Sequence, residues 1–293
     1  MPLLALILIA AAAGLLAAVV ALRYPRSAPG ATTTPVVEAV ARASQRHAAV
    51  RRWARARRDP GVATGLALTL AAAVAIGGVA ALGLVAYLVR QNDALRRLDA
   101  NAAQWGHDHA TDVTQTAIEI VTQLGETWLV AVAGLLVAAV EWRRGSSRLV
   151  APFLLAVVVG DKVMTTAAKE LLDRARPTLN PIAETLGPSL PSGHTSTAAA
   201  FFAAAALVLG RGRSHRTRAA LAGGAVGVAV AVACSRVLLD VHWLSDVVAG
   251  LALGWAWFAV CAIAFGGRLL RFGVTAERIE AAARTRPAHT PPA

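Results

Sequence analysis

Long apolar runs alternate with short polar and basic segments along the chain, a pattern typical of a polytopic membrane protein. The apolar runs cover residues 2–22, 63–89, 127–141, 149–168, 195–210, 219–235 and 243–265. About 20 apolar residues span the hydrocarbon core of a bilayer as a helix, at ~1.5 Å per residue. The pattern therefore predicts an all-α fold, a polytopic membrane helical bundle.

The polar stretches predict how the chain is divided. Residues 90–126 carry apolar positions at helical spacing and predict a helix along the membrane interface; these positions are Leu95, Leu98, Ala102, Trp105, His109 and Val113. The predicted units are an N-terminal transmembrane anchor (1–22), a basic cytoplasmic linker (23–62), a membrane domain (63–266) and a basic cytoplasmic tail (267–293) with a disordered end. Within the linker, residues 36–58 could instead form a surface helix on anionic lipids.

The first apolar run has two interpretations. A signal peptide would carry positive charge before its apolar core. Here Arg23 and Arg26 follow the run and no basic residue precedes it. The pattern favours an uncleaved anchor with its N-terminus outside the cell.

Composition agrees with a membrane protein and bears on its partners. The chain has 293 residues, 56% of them hydrophobic and 16% charged, whereas soluble domains carry about 25% charged residues. The formal net charge of +12 lies largely in clusters beside apolar runs, which indicates membrane topology rather than nucleic-acid binding. Cys234 and Cys261 fall inside apolar runs and are expected to be small core residues, without a disulfide or a metal.

The basic clusters predict the orientation of the chain. With seven spans, all four basic segments fall on one side of the membrane; they are residues 23–58, 142–148, 211–218 and 268–286. The positive-inside rule makes this side cytoplasmic. The loops at 90–126, 169–193 and 236–242 then face outward, in a multi-pass protein of the plasma membrane.

Three polar clusters lie on the predicted outer side. The first runs from Lys169 to Pro177, and its cations break the rule that outward loops are poor in Lys and Arg. Lys169 and Arg176 are two helical turns apart, so they would point the same way if the fourth span continued that far. The second is Pro191-Ser192-Gly193-His194 at the start of an apolar run. A capping Ser, a Gly and exposed N–H groups there suit an anion.

The third cluster runs from Ser235 to Asp246 and contains a histidine and a carboxylate at i, i+4 spacing, His242 and Asp246. On one helix face, the aspartate can hold one imidazole nitrogen and leave the other free as a base or nucleophile. Such a pair is often only a structural hydrogen bond. Two histidines and several cations on one side of the membrane favour chemistry instead.

Together these clusters resemble the signature of the type 2 phosphatidic acid phosphatase (PAP2) superfamily, in its membrane lipid phosphatase branch. Lys169–Pro177 fits K-x6-R-P, Pro191–His194 is P-S-G-H, and Ser235–Asp246 fits S-R-x5-H-x3-D. The motifs occur in this order, separated by 13 and 40 residues. The resemblance covers about residues 63–266 and implies a six-span core, to which the N-terminal span is an addition.

The resemblance implies a mechanism and a set of site residues. His242 would attack phosphorus and form a phosphohistidine, and Asp246 would orient it. His194 would protonate the leaving oxygen and later activate water. The phosphate oxygens would be held by Lys169, Arg176, Ser192, the Gly193 N–H and Arg236. These fixed cations replace a metal, so no metal and no cofactor is expected.

Other polar residues are expected to play smaller parts. Asp161, in the fourth span, is expected to support the phosphate site from behind. His107, His109 and Asp112 lack a known ligand frame and are interpreted as interfacial polar residues rather than a metal site. Asp240 is expected in a loop, and His215 in a cytoplasmic turn away from catalysis.

The predicted function is hydrolysis of a lipid phosphate or polyprenyl diphosphate at the outer membrane face. Phosphatidic acid, phosphatidylglycerol phosphate and undecaprenyl diphosphate are the candidate substrates; the sequence specifies neither the lipid tail nor an oligomeric state. The expected partners are the lipid substrate and membrane lipids. A lipid phosphotransferase with the same phosphohistidine is the alternative. A vanadium haloperoxidase shares a similar pocket but is soluble, and a transporter would have no use for two histidines among three cations.

Overall fold

The computed structural model describes residues 2–23, 63–109, 111–145, 148–178 and 187–269, and all regular secondary structure in these ranges is helical. The helices of this part are α1 (Pro2–Arg23), α2 (Ala63–Gln91), α3 (Asp93–Asp108), α4 (Asp112–Gln123), α5 (Thr127–Arg143), α6 (Val150–Leu172), α7 (Gly193–Leu209), α8 (His215–Leu238) and α9 (Leu244–Leu269). The predicted all-α fold is confirmed. The expectations for the linker (24–62) and the tail (270–293) lie outside the described residues.

Helices occupy all seven predicted apolar runs, but they differ in how well each could cross a membrane. α1, α2, α6, α8 and α9 each contain a stretch long and apolar enough for a span. α4 and α5 meet this criterion only together, and they are bent by 49° at the break between them. α7 is apolar but has only 17 residues. Length and composition thus support five spans in the described ranges, or six if the bent pair crosses once.

The central helix of the bundle is α7, which contacts α5, α6, α8 and α9. Ten of its 17 residues are buried. Phe201 and Val208 pack against Phe153 and Val157 of α6 in the largest apolar cluster. At the periphery, α1 packs along α8 and α2 along α9. The helix that begins at Gly193 is therefore held on several sides, which gives its first turn a fixed position.

Close contact between α7 and α9 depends on two glycines of α9. A Cβ atom on Gly250 would lie 2.7 Å from the carbonyl oxygen of Ser192, and one on Gly254 would lie 2.3 Å from that of Ser196. Small residues allow helix backbones to approach closely inside a membrane. This approach brings the start of α9 beside the start of α7.

The stretch 90–126 differs from the single interfacial helix that its spacing predicts. It forms two helices, α3 and α4, because Thr111 caps a new helix and its hydroxyl accepts a hydrogen bond from the Thr114 N–H. The buried face of α3 consists of Asp99, Ala103 and Gly106. α3 packs on α8 and α9. These tertiary contacts bury the face with Asp99 and leave Leu98 and Trp105, on the more apolar face, exposed.

Candidate active site

Three loops and helix ends meet at one end of the bundle and bring the three motifs together. They are the segment after α6, the start of α7 and the turn between α8 and α9. The Ser192 N–H donates to the carbonyl oxygen of Asp246 at 3.0 Å. The guanidinium of Arg176 donates to the carbonyl oxygen of Val241 at 2.6 Å. Hydrogen bonds to backbone carbonyl oxygens therefore join the first and second motifs to the third.

His242 lies in the turn between α8 and α9, where its side chain is 2% exposed. Its Nε2 atom is 3.1 Å from Nη1 of Arg176. Because a guanidinium only donates hydrogen bonds, Nε2 must be the unprotonated nitrogen. Nδ1 then carries the proton, and it lies 3.5 Å from Oδ2 of Asp246. Nε2 is thus the nitrogen with a lone pair available for attack.

The charge state of His242 follows from its surroundings. The pKa of His242 is lowered to about 3, chiefly by burial; Asp246 opposes this shift, and the neighbouring Arg176 and Arg236 contribute to it. The imidazole is therefore neutral near pH 7. A neutral imidazole has the lone pair that a nucleophile requires.

Asp246 is buried in the first turn of α9, and each of its side-chain oxygens has a donor. Oδ1 accepts from Nη1 of Arg174 at 2.6 Å, and Oδ2 accepts from the Trp243 N–H at 2.9 Å. The second contact closes the turn that carries His242. Asp246 is thereby oriented by a cation and by backbone, as the holder of a catalytic imidazole must be.

Arg174 and Asp99 form a second layer behind Asp246. Nη2 of Arg174 lies 2.8 Å from Oδ2 of Asp99. Asp99 also accepts from the backbone N–H and the hydroxyl of Ser245, at 2.8 and 2.6 Å. The Arg174 guanidinium lies 5.4 Å from the centre of the Trp243 ring. This network joins α3 to the start of α9 and fixes the Asp246 carboxylate.

Lys169 and Arg176 converge by a route that differs from the predicted one. α6 ends at Leu172 because Asp173 adopts a left-handed conformation with φ of 39°. Lys169 is on the last turn, whereas Arg176 lies in the segment beyond, where it donates to the carbonyl oxygens of Gly187 and Pro188. The fourth span does not continue to Arg176, so the two cations do not share a helix face. Both cations nevertheless lie near enough to Asp246 to interact with its charge.

Arg236 is the third predicted phosphate-binding cation, and it lies buried near the end of α8. Its Nη1 atom donates to the hydroxyl of Thr122 at 3.0 Å. Its Nε atom is buried without a hydrogen-bond partner among the described residues. A buried N–H of this kind suits an anionic oxygen, because leaving it unsatisfied is costly.

Ser192 and Gly193 stand at the start of α7. Ser192 occupies the N-cap position, but its side chain makes no capping hydrogen bond. Its hydroxyl instead accepts from the hydroxyl of Thr195 at 3.0 Å. A Cβ atom on Gly193 would meet only Thr165, at 3.6 Å. Packing within the described protein therefore does not require glycine here, and the free space suits close approach of a ligand.

His194, the second histidine, lies in a more open position, with 24% of its side chain exposed. Its Nε2 atom is 2.8 Å from Oε1 of Glu126, which precedes α5. Thr122, which holds Arg236, lies one turn earlier. The break between α4 and α5 thus forms another wall of the site, in a segment where the sequence predicts only an interfacial helix and a short span.

Asp161 is fully buried in α6 and accepts hydrogen bonds from the hydroxyls of Ser196 and Thr197, at 2.5 and 2.9 Å. Both donors lie near the start of α7, two and three residues after His194. Asp161 therefore stabilises the helix start that carries the second motif. It lies behind the site, where the sequence predicts a supporting role.

The remaining polar residues near this end serve other contacts. His107 lies 3.2 Å from the Asp240 carboxylate, and Asp240 occupies a turn with φ of 55°. His109 stacks on the Trp105 ring and bonds to its carbonyl oxygen. Across the described ranges, no three His, Cys, Asp or Glu side chains are grouped as a metal site. His215 lies at the start of α8, away from the site.

Sequence reasoning overlooked three residues of this site, namely Asp99, Thr122 and Glu126. Arg174 lies within the first motif, but the sequence analysis assigned it no role. Asp99 could have been noticed in the sequence, because it is a charged residue among the apolar positions of α3. Glu126 gave a weaker signal, a carboxylate directly before an apolar run, where α5 begins.

Comparison with known proteins agrees with the motifs. Residues 149–269 match the PAP2 superfamily. The chain is 32% identical over 106 residues to phosphatidylglycerophosphatase B of Bacillus subtilis, an alignment covering 34% of this chain and 51% of that protein. It is 43% identical over 72 residues to lipid A 1-phosphatase of Rhizobium johnstonii, covering 25% of each chain. The chain thus spans about half or less of the length of these relatives.

A solved structure supports the fold. The fold of this chain is similar to that of a transmembrane PAP2 type phosphatidylglycerolphosphate phosphatase from Bacillus subtilis, with a TM-score of 0.60 and 22% identity. The match covers 68% of this chain and 99% of that chain. Residues 149–269, which carry the three motifs that meet at one end of the bundle, thus match the PAP2 superfamily, and the fold is similar to that of a transmembrane PAP2 type phosphatase.

Proposed function

We propose that this protein hydrolyses the phosphate ester of a membrane lipid through a phosphohistidine on His242, without a metal ion. The observation that carries the proposal is the environment of His242. A neutral, buried imidazole presents Nε2 to Arg176, 3.1 Å away. A phosphate bound to that arginine would place its phosphorus beside the lone pair of the nucleophile.

The other motif residues have roles consistent with this step. Lys169, Arg176 and Arg236 would neutralise the phosphate oxygens, and the Ser192 hydroxyl and Gly193 N–H would add neutral donors. Asp246 would stabilise the positive charge that forms on His242. His194, more exposed than His242, would donate a proton to the leaving oxygen and later accept one from water.

A cavity beside the site supports a lipid as the substrate. It has a volume of about 270 Å³ and lies between the ends of α2 and α6. Its lining is mostly apolar, with two arginines and one aspartate; the residues are Ala86, Val89, Leu172, Ala175, Leu190, Arg90, Arg174 and Asp173. The apolar part of this lining suits a lipid chain. The relatives named above carry names of lipid phosphatases, which agrees with this class.

The side of the membrane is part of the proposal. The site lies at the helix ends opposite the basic turns at 142–148 and 211–218. The positive-inside rule would place those turns in the cytoplasm and the site at the outer face of the plasma membrane. Phosphatidic acid, phosphatidylglycerol phosphate and undecaprenyl diphosphate remain the proposed substrates.

The test is phosphate release by detergent-solubilised protein from these three lipids and a lipid A 1-phosphate. We expect wild-type turnover of at least one lipid, unchanged by EDTA, and an acid-labile phosphoryl group on the protein after a rapid quench. His242→Asn should lower turnover at least about 10³-fold and abolish the phosphoryl group, because it removes the nucleophile. His215→Asn is the matched control and should retain wild-type turnover.

Two outcomes would contradict the proposal. Equal phosphate release by wild type and His242→Asn on every lipid would exclude His242 as nucleophile. Loss of turnover in EDTA with recovery in Mg²⁺ would exclude the metal-free mechanism.

A further inference from the structure

The contact between Glu126 and His194 suggests a role that none of the three motifs contains. We propose that Glu126 is a positioning residue that orients His194 and stabilises its protonated form while the leaving oxygen departs. This inference rests on the proposed function, since it concerns the proton donor of that reaction. Glu126 would then be the carboxylate partner of His194, as Asp246 is the carboxylate partner of His242.

The bend between α4 and α5 places Glu126 beside His194. A Cβ atom on Gly125 would lie 2.7 Å from the carbonyl oxygen and 2.9 Å from the Cβ of His194. The backbone of the bend is therefore pressed against the histidine itself. The next residue then reaches Nε2 with its carboxylate, at 2.8 Å. Two separate contacts thus join this bend to His194.

The Glu126 carboxylate is not used for helix capping. Glu126 holds the N-cap position of α5 with extended backbone, but its side chain makes no capping hydrogen bond. It is also 37% exposed, so burial does not force it onto His194. The contact with His194 is thus the role that the described structure gives this side chain.

The charges around His194 make a carboxylate partner necessary. Burial disfavours the protonated form of His194 most, and Arg236 from α8 and Lys169 from α6 repel it as well. Among the described neighbours, Glu126 supplies the opposing negative charge. A carboxylate in hydrogen-bond contact favours the protonated imidazole over the neutral one. Glu126 would therefore offset the cations that the phosphate requires.

The step can be written with its atoms balanced. Nε2 of His242 forms a bond to phosphorus as the bond between phosphorus and the lipid oxygen breaks. The proton on His194 passes to that oxygen, and the lipid leaves as an alcohol. With Nε2 of His194 held by Glu126, Nδ1 is the nitrogen that can face the leaving oxygen. Neutral His194 then takes a proton from the water that releases phosphate.

The test compares two substrates that differ in one bridging atom. One is a lipid phosphate, and the other is its analogue with sulfur in place of the bridging oxygen. A thiolate leaves with little need of a proton, because a thiol has a pKa of about 8.5. We expect Glu126→Gln to slow the first turnover of the oxygen-bridged lipid about 10- to 100-fold. The same variant should turn over the sulfur-bridged lipid within about threefold of wild type.

The controls separate this role from a structural one. Glu119→Gln removes an exposed carboxylate of α4 and should leave both rates unchanged. His194→Asn should show the same selective loss as Glu126→Gln. The ratio of the two rates is measured within one variant, so it does not depend on the folded fraction.

The contradicting results are distinct from those for the proposed function. Equal loss on both lipids would mean that Glu126 only maintains the fold. No loss on either would mean that it does not act in the reaction. If His242→Asn turned over the lipids as wild type does, the proposed function would fail, and this inference with it.

Discussion

At the scale of single residues, two histidines of one site have different surroundings. His242 is almost fully buried and faces an arginine, so it is neutral. His194 is partly exposed and faces a carboxylate. The same side chain can therefore serve as a nucleophile in one position and as a proton donor in the other.

The lowered pKa of His242 predicts a dependence of folding stability on pH. The folded pKa is about 3 and the ordinary value is 6.5, so between these values the unfolded state binds the extra proton. The free energy of unfolding should therefore decrease as the pH is lowered below about 6.5, by at most about 1.4 kcal/mol per pH unit. Above pH 6.5 this contribution should not change.

The measurement is the melting temperature of wild type and His242→Asn in detergent from pH 4 to pH 8. The difference between them isolates the histidine, because the other titrating groups are shared. We expect wild type to lose stability relative to the variant as the pH falls below 6.5. A constant difference across this range would contradict the neutral, buried state of His242.

At the scale of elements, helix ends and close helix contacts position the site. α7 begins at Gly193 because three contacts hold its first turns: Asp161 from α6, the Asp246 carbonyl and the glycines of α9. The bend after α4 adds Thr122 and Glu126. The contacts at the start of α7 and at the bend after α4 each depend on a small or polar residue. The apolar helices are interrupted where these residues occur.

The glycines of α9 give a prediction at this scale. Gly254→Ala would place a Cβ atom 2.3 Å from the carbonyl oxygen of Ser196, so α7 and α9 must separate. We expect a loss of about 1–3 kcal/mol in stability, typical of overpacking, and lower turnover. Gly83→Ala is the matched control, since nothing lies within 4 Å of its Cβ position. Thermal unfolding in detergent is the measurement, and equal melting of both variants would contradict the close contact.

At the scale of the whole molecule, the chain passes repeatedly between two chemically different ends. α6 and α8 end at the active-site end, and α7 and α9 begin there. At the opposite end, Glu141 of α5 accepts hydrogen bonds from Arg144 and Arg211, at 3.1 and 2.7 Å. This arrangement separates Lys169, Arg176 and Arg236 from the basic turns at the opposite end.

The predicted orientation can be tested with single cysteines at the two ends. Thr178→Cys lies at the active-site end and Arg213→Cys in the opposite turn, both exposed, in a background with Cys234→Ala and Cys261→Ala. A membrane-impermeant maleimide added to intact cells should label Cys at position 178 and spare position 213. Labelling of position 213 alone would place the site in the cytoplasm.

How far the sequence predicts this protein differs between its features. The helical membrane class and the positions of the apolar helices follow from hydrophobic runs, which need no tertiary information. The i, i+4 spacing predicted the pair of His242 and Asp246 on one helix face; the two residues do lie close together, but His242 is in the turn before α9 and not on the helix. The end of α6 at Leu172 lies a few residues beyond the predicted span, because the left-handed Asp173 that ends the helix carries no strong signal in the sequence. Asp99, Thr122 and Glu126 could not be assigned, since their partners lie 68 or more residues away along the chain.

By itself, the amino-acid sequence determined the membrane class, the polar clusters and the chemistry available to them, because these depend on residue type and local spacing. The tertiary structure alone decided which nitrogen of His242 faces Arg176, that Glu126 contacts His194 and which face of α3 is buried. Those outcomes depend on contacts between distant segments. The physical reason is that hydrophobic runs place helices in a membrane, whereas polar contacts between their ends choose the partners.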